Sequence, residues 1–271
     1  ATPLRSFTGR NELEHSQPRI VFGAAIKMQS QPEISLVVPC YNEEGNLRPL
    51  VKAIHDAVDT LGIGYEIVVT DDCSTDGSWT ALKEIAAADP HVRVQRFQFN
   101  CGESAASWAG MQSARGKYLV TIDADLQNDP RDLPKFLEAL KRADCVCGTR
   151  IESRGQGDNF IRIASSNIAN WVRRKLSGDE KITDAGCTYR AFKRECIANI
   201  RFWRGAHRFL PQLIEMEGFS IVEVPVTNNP RFSGQSHYGV WNRLFKSFAD
   251  LLAVRWMKKR VLRYQITDRV N

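Results

Sequence analysis

Two carboxylates one residue apart, Asp123 and Asp125, come directly after an apolar run at positions 118–122. A short apolar run predicts a buried strand, and acids at its end would lie at the carboxyl edge of a sheet, where open α/β folds bind their ligands. Mg²⁺ and Mn²⁺ favour one or two carboxylates together with water and phosphate oxygens. The spacing therefore indicates a site for a divalent cation that carries phosphates, although the same acids could form a solvated turn or cap a helix.

Polar residues also follow two earlier apolar runs. The run at 34–39 leads into the sequence Cys-Tyr-Asn-Glu-Glu, and the run at 65–70 leads into Asp-Asp-Cys-Ser. Helical patterns at about 43–61, 78–88 and 103–114 separate the three runs. Strands that alternate with helices of this length predict an α/β fold with a mostly parallel sheet and helices on both faces. The three polar strand ends would then converge at one edge of the sheet.

These segments carry a resemblance to a known family. The sequences VVPCYNEEGNL, VVTDDCSTDGS, SARGKYLVTIDADLQNDP and NNPRFSGQSHYG resemble the inverting family-2 glycosyltransferases of the GT-A fold. Within that family they look most similar to the polyprenyl-phosphate sugar synthases, which include dolichyl-phosphate mannose synthase. The resemblance runs from about Glu33 to Arg260, and it is more specific for the fold and the reaction than for the sugar.

The resemblance implies a donor site at the first three strand ends. It implies that Pro39, Tyr41 and Glu43 line the base and ribose of a nucleotide-sugar, that Asp71 or Asp72 reaches the base edge, and that Asp123 also contacts the nucleotide. A Mg²⁺ or Mn²⁺ ion would be held by Asp125 with Asp123, and Gln127 would be an additional polar neighbour. Helix capping by Glu43 and a turn at Asp71 and Asp72 are alternative structural roles.

The resemblance also implies an acceptor site. Asp184 lies where relatives that glycosylate a hydroxyl carry a general base. A phosphate monoester has a second pKa of about 6 and is already a nucleophile near neutral pH, so for a lipid phosphate Asp184 would orient groups instead of taking a proton. Arg150 and Arg154 are candidates to bind the acceptor phosphate, because the guanidinium fork matches phosphate oxygens.

A later loop completes the family pattern. Arg231 is predicted to meet the leaving diphosphate, and Ser236 with Tyr238 to close over it. The common form of this loop has a lysine where this chain has His237, so the positive charge at that position would depend on pH. Asp125, Asp184 and Arg231 are the predicted catalytic residues.

Length and composition predict one catalytic domain. The 271 residues are 43% hydrophobic, and no repeat or long linker interrupts them. We expect a catalytic domain at 28–238, an amphipathic helical appendage at 239–271 and a leader or vector-derived segment at 1–27. The seven cysteines are odd in number and form no C-x-x-C pair, which favours reduced thiols and disfavours a zinc site.

The appendage carries apolar residues at helical spacing, flanked by bases. No apolar run reaches the roughly 18–20 residues that a membrane-spanning helix needs. The stripe could lie in the interface of an anionic membrane, or it could pack on the catalytic domain or a second subunit. Its members are Trp241, Leu244, Phe245, Phe248, Leu251, Leu252 and Trp256.

The resemblance therefore implies an inverting, metal-dependent transfer of a sugar to a polyprenyl phosphate. A UDP-sugar is the expected donor, by analogy with relatives. The expected location is cytoplasmic, with peripheral binding at the inner face of the cytoplasmic membrane as an option. One alternative is transfer to a sugar or lipid hydroxyl with Asp184 as general base. Another is a non-catalytic module that binds membrane surfaces or polyanions. No array of aromatic and basic residues indicates nucleic-acid binding.

Overall fold

The computed structural model describes residues 31–151, 182–184, 186–230, 240–262 and 266–268, with side chains from 248 onward in the fourth range. Its strands are β1 (Ile34–Cys40), β2 (Tyr65–Asp71), β3 (Val92–Arg96), β4 (Tyr118–Thr121), β5 (Cys145–Thr149), β6 (Arg190–Lys193) and β7 (Ile221–Pro225). Its helices are α1 (Glu44–Val58), α2 (Ser78–Ala88), α3 (Glu103–Ser113), α4 (Leu133–Ala139), α5 (Leu210–Met216) and α6 (Val240–Lys258).

The sheet is mixed but mostly parallel, as predicted. Its described strands run in the order β3-β2-β1-β4-β6-β5-β7. β1 pairs in parallel with both β2 and β4, whereas β6 runs antiparallel between β4 and β5. The chain moves outward from β1 to β2 and β3 and then returns to place β4 on the other side of β1. The carboxyl ends of β1 and β4 thus flank the point where the strand order reverses, which is the usual ligand position in open α/β sheets.

Helices cover both faces of this sheet. β1 alternates between two cores, with Leu36 and Val38 facing one and Val37 facing the other. The first core includes Leu50 of α1, and the second includes Met111 of α3. A strand that is apolar on both faces can only be stable between two such layers. The predicted fold class is therefore confirmed.

The paired acids do not cap the helix that follows them. A 3₁₀ turn at Pro130–Asp132 precedes α4, which spans only Leu133–Ala139. Asp129, not Asp125, caps this turn by accepting a hydrogen bond from the backbone N–H of Arg131 at 3.0 Å. Pro130 suits the first position of such a turn, where an N–H has no partner within the helix. The alternative role of Asp125 as the cap of this helix is therefore wrong.

Helix α6 packs against α5 and the segment that precedes it. Leu251 and Val254 are buried against Phe209, and the Lys258 ammonium lies 2.7 Å from a Glu215 carboxylate oxygen on α5. Of the predicted apolar stripe, Leu251 packs in this way, whereas Phe248, Leu252 and Trp256 are exposed. The side chains of Trp241, Leu244 and Phe245 lie outside the described residues. In the described part of the chain, no helix has the length and apolar character that crossing a bilayer requires.

Candidate active site

The ends of β1 and β2 are fastened to each other by reciprocal hydrogen bonds. The backbone N–H of Asn42 donates to Ser74 Oγ at 2.9 Å, and the Asn42 side-chain oxygen accepts from the backbone N–H of Thr75 at 2.8 Å. The backbone N–H of Glu43 donates to Ser78 Oγ at 2.9 Å. These bonds satisfy loop N–H groups that no strand could pair. The two loops therefore form one fixed rim at the carboxyl edge of the sheet.

Backbone strain is concentrated at this same edge. Among the described residues, three that are not glycine have a positive φ: Asn42 at 56°, Cys73 at 60° and Leu126 at 61°. They lie one each in the loops after β1, β2 and β4. Asparagine tolerates the left-handed region, but leucine there costs about 1 kcal/mol or more. Strain that the surrounding structure maintains is typical of functional loops.

Asp71 and Asp72 are both used to hold this edge together. The buried Asp71 carboxylate lies 3.0 Å from Nε of Arg96. Asp72 accepts hydrogen bonds from the backbone N–H groups of Cys101 at 2.6 Å and Gly102 at 2.8 Å, immediately before α3. Burial raises the pKa of Asp72. The turn considered as an alternative is present at Asp71, whose carboxylate also accepts from the backbone N–H of Ser74 at 3.3 Å. Contact of Asp71 or Asp72 with a nucleobase stays a prediction.

Pro39, Tyr41 and Glu43 lie at the end of β1 and are partly exposed. Glu43 is the N-cap residue of α1, and its carboxylate accepts a hydrogen bond from the Asn46 side-chain amide without making a side-chain capping bond to the helix backbone. The position of these three residues beside the β4 loop agrees with a donor-binding role. That role itself stays a prediction.

The paired acids follow β4, as predicted. Asp125 is buried, and its Oδ1 accepts from the backbone N–H of Gln127 at 3.1 Å. Asp123 is partly exposed and accepts a hydrogen bond from the Thr188 hydroxyl. Withdrawal of Asp123 from water raises its pKa, and the neighbouring charge of Asp125 raises it further. Two carboxylates are therefore held at an electrostatic cost that a bound cation would offset.

The donor set fits a divalent cation that shares its shell with substrate. In the described ranges, no group of three or more histidine, cysteine, aspartate or glutamate side chains is placed to hold a metal. Two carboxylates suit Mg²⁺ or Mn²⁺ when phosphate and water complete the shell. The backbone carbonyl of Gln127 accepts from the N–H of Asn229 at 2.9 Å, so the turn is also joined to the segment after β7.

Asp184 and Arg150 are brought together as a bidentate ion pair. Arg150 Nε lies 2.8 Å from Asp184 Oδ2, and Nη2 lies 3.1 Å from Oδ1. The Asp184 side chain is 1% exposed and that of Arg150 is 21% exposed. Glu223 on β7 supports this arrangement by accepting from the N–H groups of Thr183 at 2.8 Å and Asp184 at 3.3 Å. The sequence motifs predicted separate roles for these two residues and did not indicate that they form a pair.

Several polar residues that support the site were not singled out from the sequence. Thr188 bonds to Asp123, and the buried Arg190 lies opposite Thr121 in the β4–β6 pairing. Arg190 Nη1 donates to the backbone carbonyl of His207 at 2.5 Å, and His207 Nδ1 lies 2.6 Å from Ser104 Oγ in the first turn of α3. The sequence carried one signal for this support: Arg190 stands inside an apolar strand, and a buried charge requires partners.

Four predicted site residues lie outside the described residues: Arg154, Arg231, Ser236 and Tyr238. Their predicted roles at the acceptor and the diphosphate stay predictions. The described site therefore consists of the rim formed by β1 and β2, the paired acids and the ion pair of Arg150 with Asp184.

Comparison with known proteins decides the family. A family model described as glycosyl transferase family 2 matches residues 35–201, which include every predicted site residue that the structure describes. The chain belongs to glycosyl transferase family 2. The resemblance seen in the sequence motifs is thus confirmed.

Two curated relatives of this family-2 chain illustrate the match. A dodecaprenyl-phosphate galacturonate synthase from Rhizobium johnstonii is 34% identical over 232 residues, covering 84% of this chain and 68% of the relative. An undecaprenyl-phosphate 4-deoxy-4-formamido-L-arabinose transferase from Aeromonas hydrophila subsp. hydrophila is 33% identical over 208 residues, covering 76% of this chain and 63% of the relative. The family-2 chain thus spans about two thirds of the length of these proteins.

A solved structure gives the same fold. Glucosyl-3-phosphoglycerate synthase from Mycobacterium tuberculosis, in complex with Mn²⁺, UDP and glucosyl-3-phosphoglycerate, aligns with a TM-score of 0.61 at 18% identity. The alignment covers 86% of this family-2 chain and 81% of that protein. At this identity the likeness shows the fold alone, and it agrees with the expected GT-A architecture.

Proposed function

We propose that this family-2 protein transfers a sugar, with inversion, from a UDP-sugar to a polyprenyl phosphate at the inner face of the cytoplasmic membrane. The names of the two relatives, which specify dodecaprenyl and undecaprenyl phosphate, support the acceptor class. The complex of the structural neighbour with UDP and Mn²⁺ supports the donor class and the use of a divalent cation. The observation that carries the proposal is the ion pair between Asp184 and Arg150.

The donor half of the reaction would be performed at the β4 loop. Asp123 and Asp125 would hold Mg²⁺ or Mn²⁺, which when bound offsets the negative charge that develops on the leaving nucleoside diphosphate. The Thr188 hydroxyl and the Gln127 N–H fix one oxygen of each carboxylate. The orientation of the acids would therefore be set before the donor binds, which reduces the cost of ordering them.

The acceptor half depends on the state of Asp184. A hydroxyl acceptor must lose a proton during attack, and a general base must have an oxygen available to accept it. Both Asp184 oxygens accept hydrogen bonds from the Arg150 guanidinium. A phosphate acceptor needs no base, because it is mostly ionised near pH 7. The ion pair therefore favours a phosphate acceptor, for which Asp184 would orient Arg150 as a phosphate-binding group.

The acceptor class can be tested with two lipids of equal chain length, a polyprenyl phosphate and the corresponding polyprenol. Sugar transfer is measured for each from the same labelled donor with Mn²⁺ present. We expect transfer to the phosphate and at least about a hundredfold less to the alcohol, since in the described part of the site Asp184, the predicted base, is paired with Arg150. Efficient transfer to the polyprenol, with a rate that rises as a single base ionises, would overturn the proposed acceptor.

A further inference from the structure

Helix α6 has a second apolar face that the catalytic domain does not cover. Phe248, Leu252 and Trp256 recur at four-residue spacing and are 49%, 44% and 59% exposed. Residues four apart lie on one side of a helix. We call these three residues the outer stripe. Ala249 and Ala253 are exposed beside it, so the solvent-facing side of α6 over 248–256 is mostly apolar, with the half-buried Arg255 at its edge on the side of Phe248.

This distribution is the reverse of that of an ordinary surface helix. The inner side of α6 already buries Leu251 and Val254 against Phe209, which accounts for its attachment to the domain. Polar residues would be expected on the opposite side. The acidic residue in this stretch, Asp250, instead lies against Gly205 on the domain side. A contiguous apolar face of this kind marks a surface that contacts another phase or partner.

Cations border the outer stripe at its C-terminal end. Lys259 and Arg260 are exposed, and the Arg260 guanidinium lies 5.0 Å from the centre of the Trp256 ring. Arg201 and Arg204 are exposed on the segment that underlies α6, where Trp203 packs on the inner side. A helix that combines tryptophan, leucine and phenylalanine with flanking bases fits the interface of an anionic bilayer, since the rings enter the headgroup region and the bases meet the lipid charge.

We propose that the outer stripe, with Lys259 and Arg260, docks the protein on an anionic phospholipid bilayer. The helix would lie in the plane of the interface, with the outer stripe toward the acyl chains and the inner side on the domain. The positive charges of Lys259 and Arg260 are complementary to anionic lipid. A second copy of the chain would bring the same positive charges to the contact, so the surface favours a bilayer.

The attachment of α6 also connects this surface to the active site. Arg204 on the underlying segment donates to the backbone carbonyl of Cys101 at 3.5 Å, and His207 bonds to Ser104 at 2.6 Å. Both partners adjoin the start of α3, whose preceding N–H groups are held by Asp72. Docking would thus fix the carboxyl edge of the sheet relative to the membrane. This consequence rests on the proposed function, because only a lipid-linked acceptor gives it a use.

The docking surface can be tested by flotation of the full-length chain with vesicles. One set contains phosphatidylglycerol and phosphatidylcholine in equal parts, and the other contains phosphatidylcholine alone. We expect binding to the anionic vesicles that weakens with salt, and at least about a tenfold loss of affinity in the double variant Leu252→Glu/Trp256→Glu. The matched control Thr80→Glu/Ala87→Glu adds the same charge to exposed positions of α2 and should retain binding.

Two further measurements separate the possible outcomes. Absence of wild-type binding to anionic vesicles, or equal loss in both double variants, would overturn the proposal, as would a dimer in sedimentation velocity that the outer-stripe variant dissociates. Transfer to a short, water-soluble polyprenyl phosphate tests the proposed function independently and should survive Leu252→Glu/Trp256→Glu. Vesicle binding without any such transfer by the wild-type chain would contradict the proposed function and leave the docking surface supported.

Discussion

At the scale of single residues, Asp123 and Asp125 have little in common beyond their spacing. Asp123 is tied to Thr188 on the segment that leads into β6, whereas Asp125 closes a turn within its own loop through Gln127. The strained φ of 61° at Leu126 belongs to the same turn. A loop held by bonds on both sides can keep two like charges close together, and this arrangement is useful when a cation and phosphates are to be bound.

Replacement of Asp125 by asparagine tests this role. Asn retains the shape and an acceptor for the Gln127 N–H but removes the negative charge, so the fold should persist while activity falls about a hundredfold or more. Metal-dependent binding of the donor, measured by calorimetry, should be lost in parallel. Asp129→Asn is the matched control: Asn caps comparably, so this variant should stay active. Full activity in Asp125→Asn would remove the carboxylate from the mechanism.

At the scale of elements, Gly116 shows how closely β4 is set against β1. A Cβ on Gly116 would lie 2.6 Å from the carbonyl carbon of Ile34 and from the backbone nitrogen of Ser35. The Gly116 N–H also donates to Ser35 Oγ at 2.7 Å. Backbone atoms of a central strand cannot move aside as a flexible side chain can. The turn before β4 therefore requires glycine, and it determines where the strand that carries the paired acids begins.

We expect Gly116→Ala to destabilise the protein by about 1–3 kcal/mol or more, because the added methyl group overlaps the β1 backbone. Urea unfolding followed by circular dichroism measures this change. Gly64→Ala is a suitable control, since its nearest contact outside the turn would be an ordinary 3.8 Å to Cα of Pro32. Equal unfolding midpoints for the two variants would show that the close approach at Gly116 is not a constraint.

The elements themselves were largely predictable from sequence periodicity. The helix at 78–88 has the predicted bounds, because it is apolar at the expected spacing and is bounded by turn residues. After β4 the sequence left open whether the paired acids cap a helix, and the structure shows that Asp129 provides that cap. The antiparallel insertion of β6 between β4 and β5 was not predicted, since its four residues carry little periodic signal.

At the scale of the whole molecule, the site could be predicted only where it is local in sequence. The three strand ends were foreseen because parallel strands must bring their carboxyl ends to one edge. The pairing of Arg150 with Asp184 joins residues 34 positions apart and depends on Glu223 of β7 holding the second segment. Local spacing carries no information about such a pair. The two apolar sides of α6 were likewise indistinguishable until the packing against Phe209 identified the inner one.

For the whole protein, we propose that the donor metal and the acceptor phosphate act together. The direct measurement is release of nucleoside diphosphate from a panel of UDP- and GDP-sugars, with and without Mn²⁺ or Mg²⁺, and with and without a short polyprenyl phosphate in detergent. We predict release only when the metal and the lipid phosphate are both present, from a UDP-sugar. Release that is equally fast without the lipid phosphate or without the metal would contradict the proposal that the two act together.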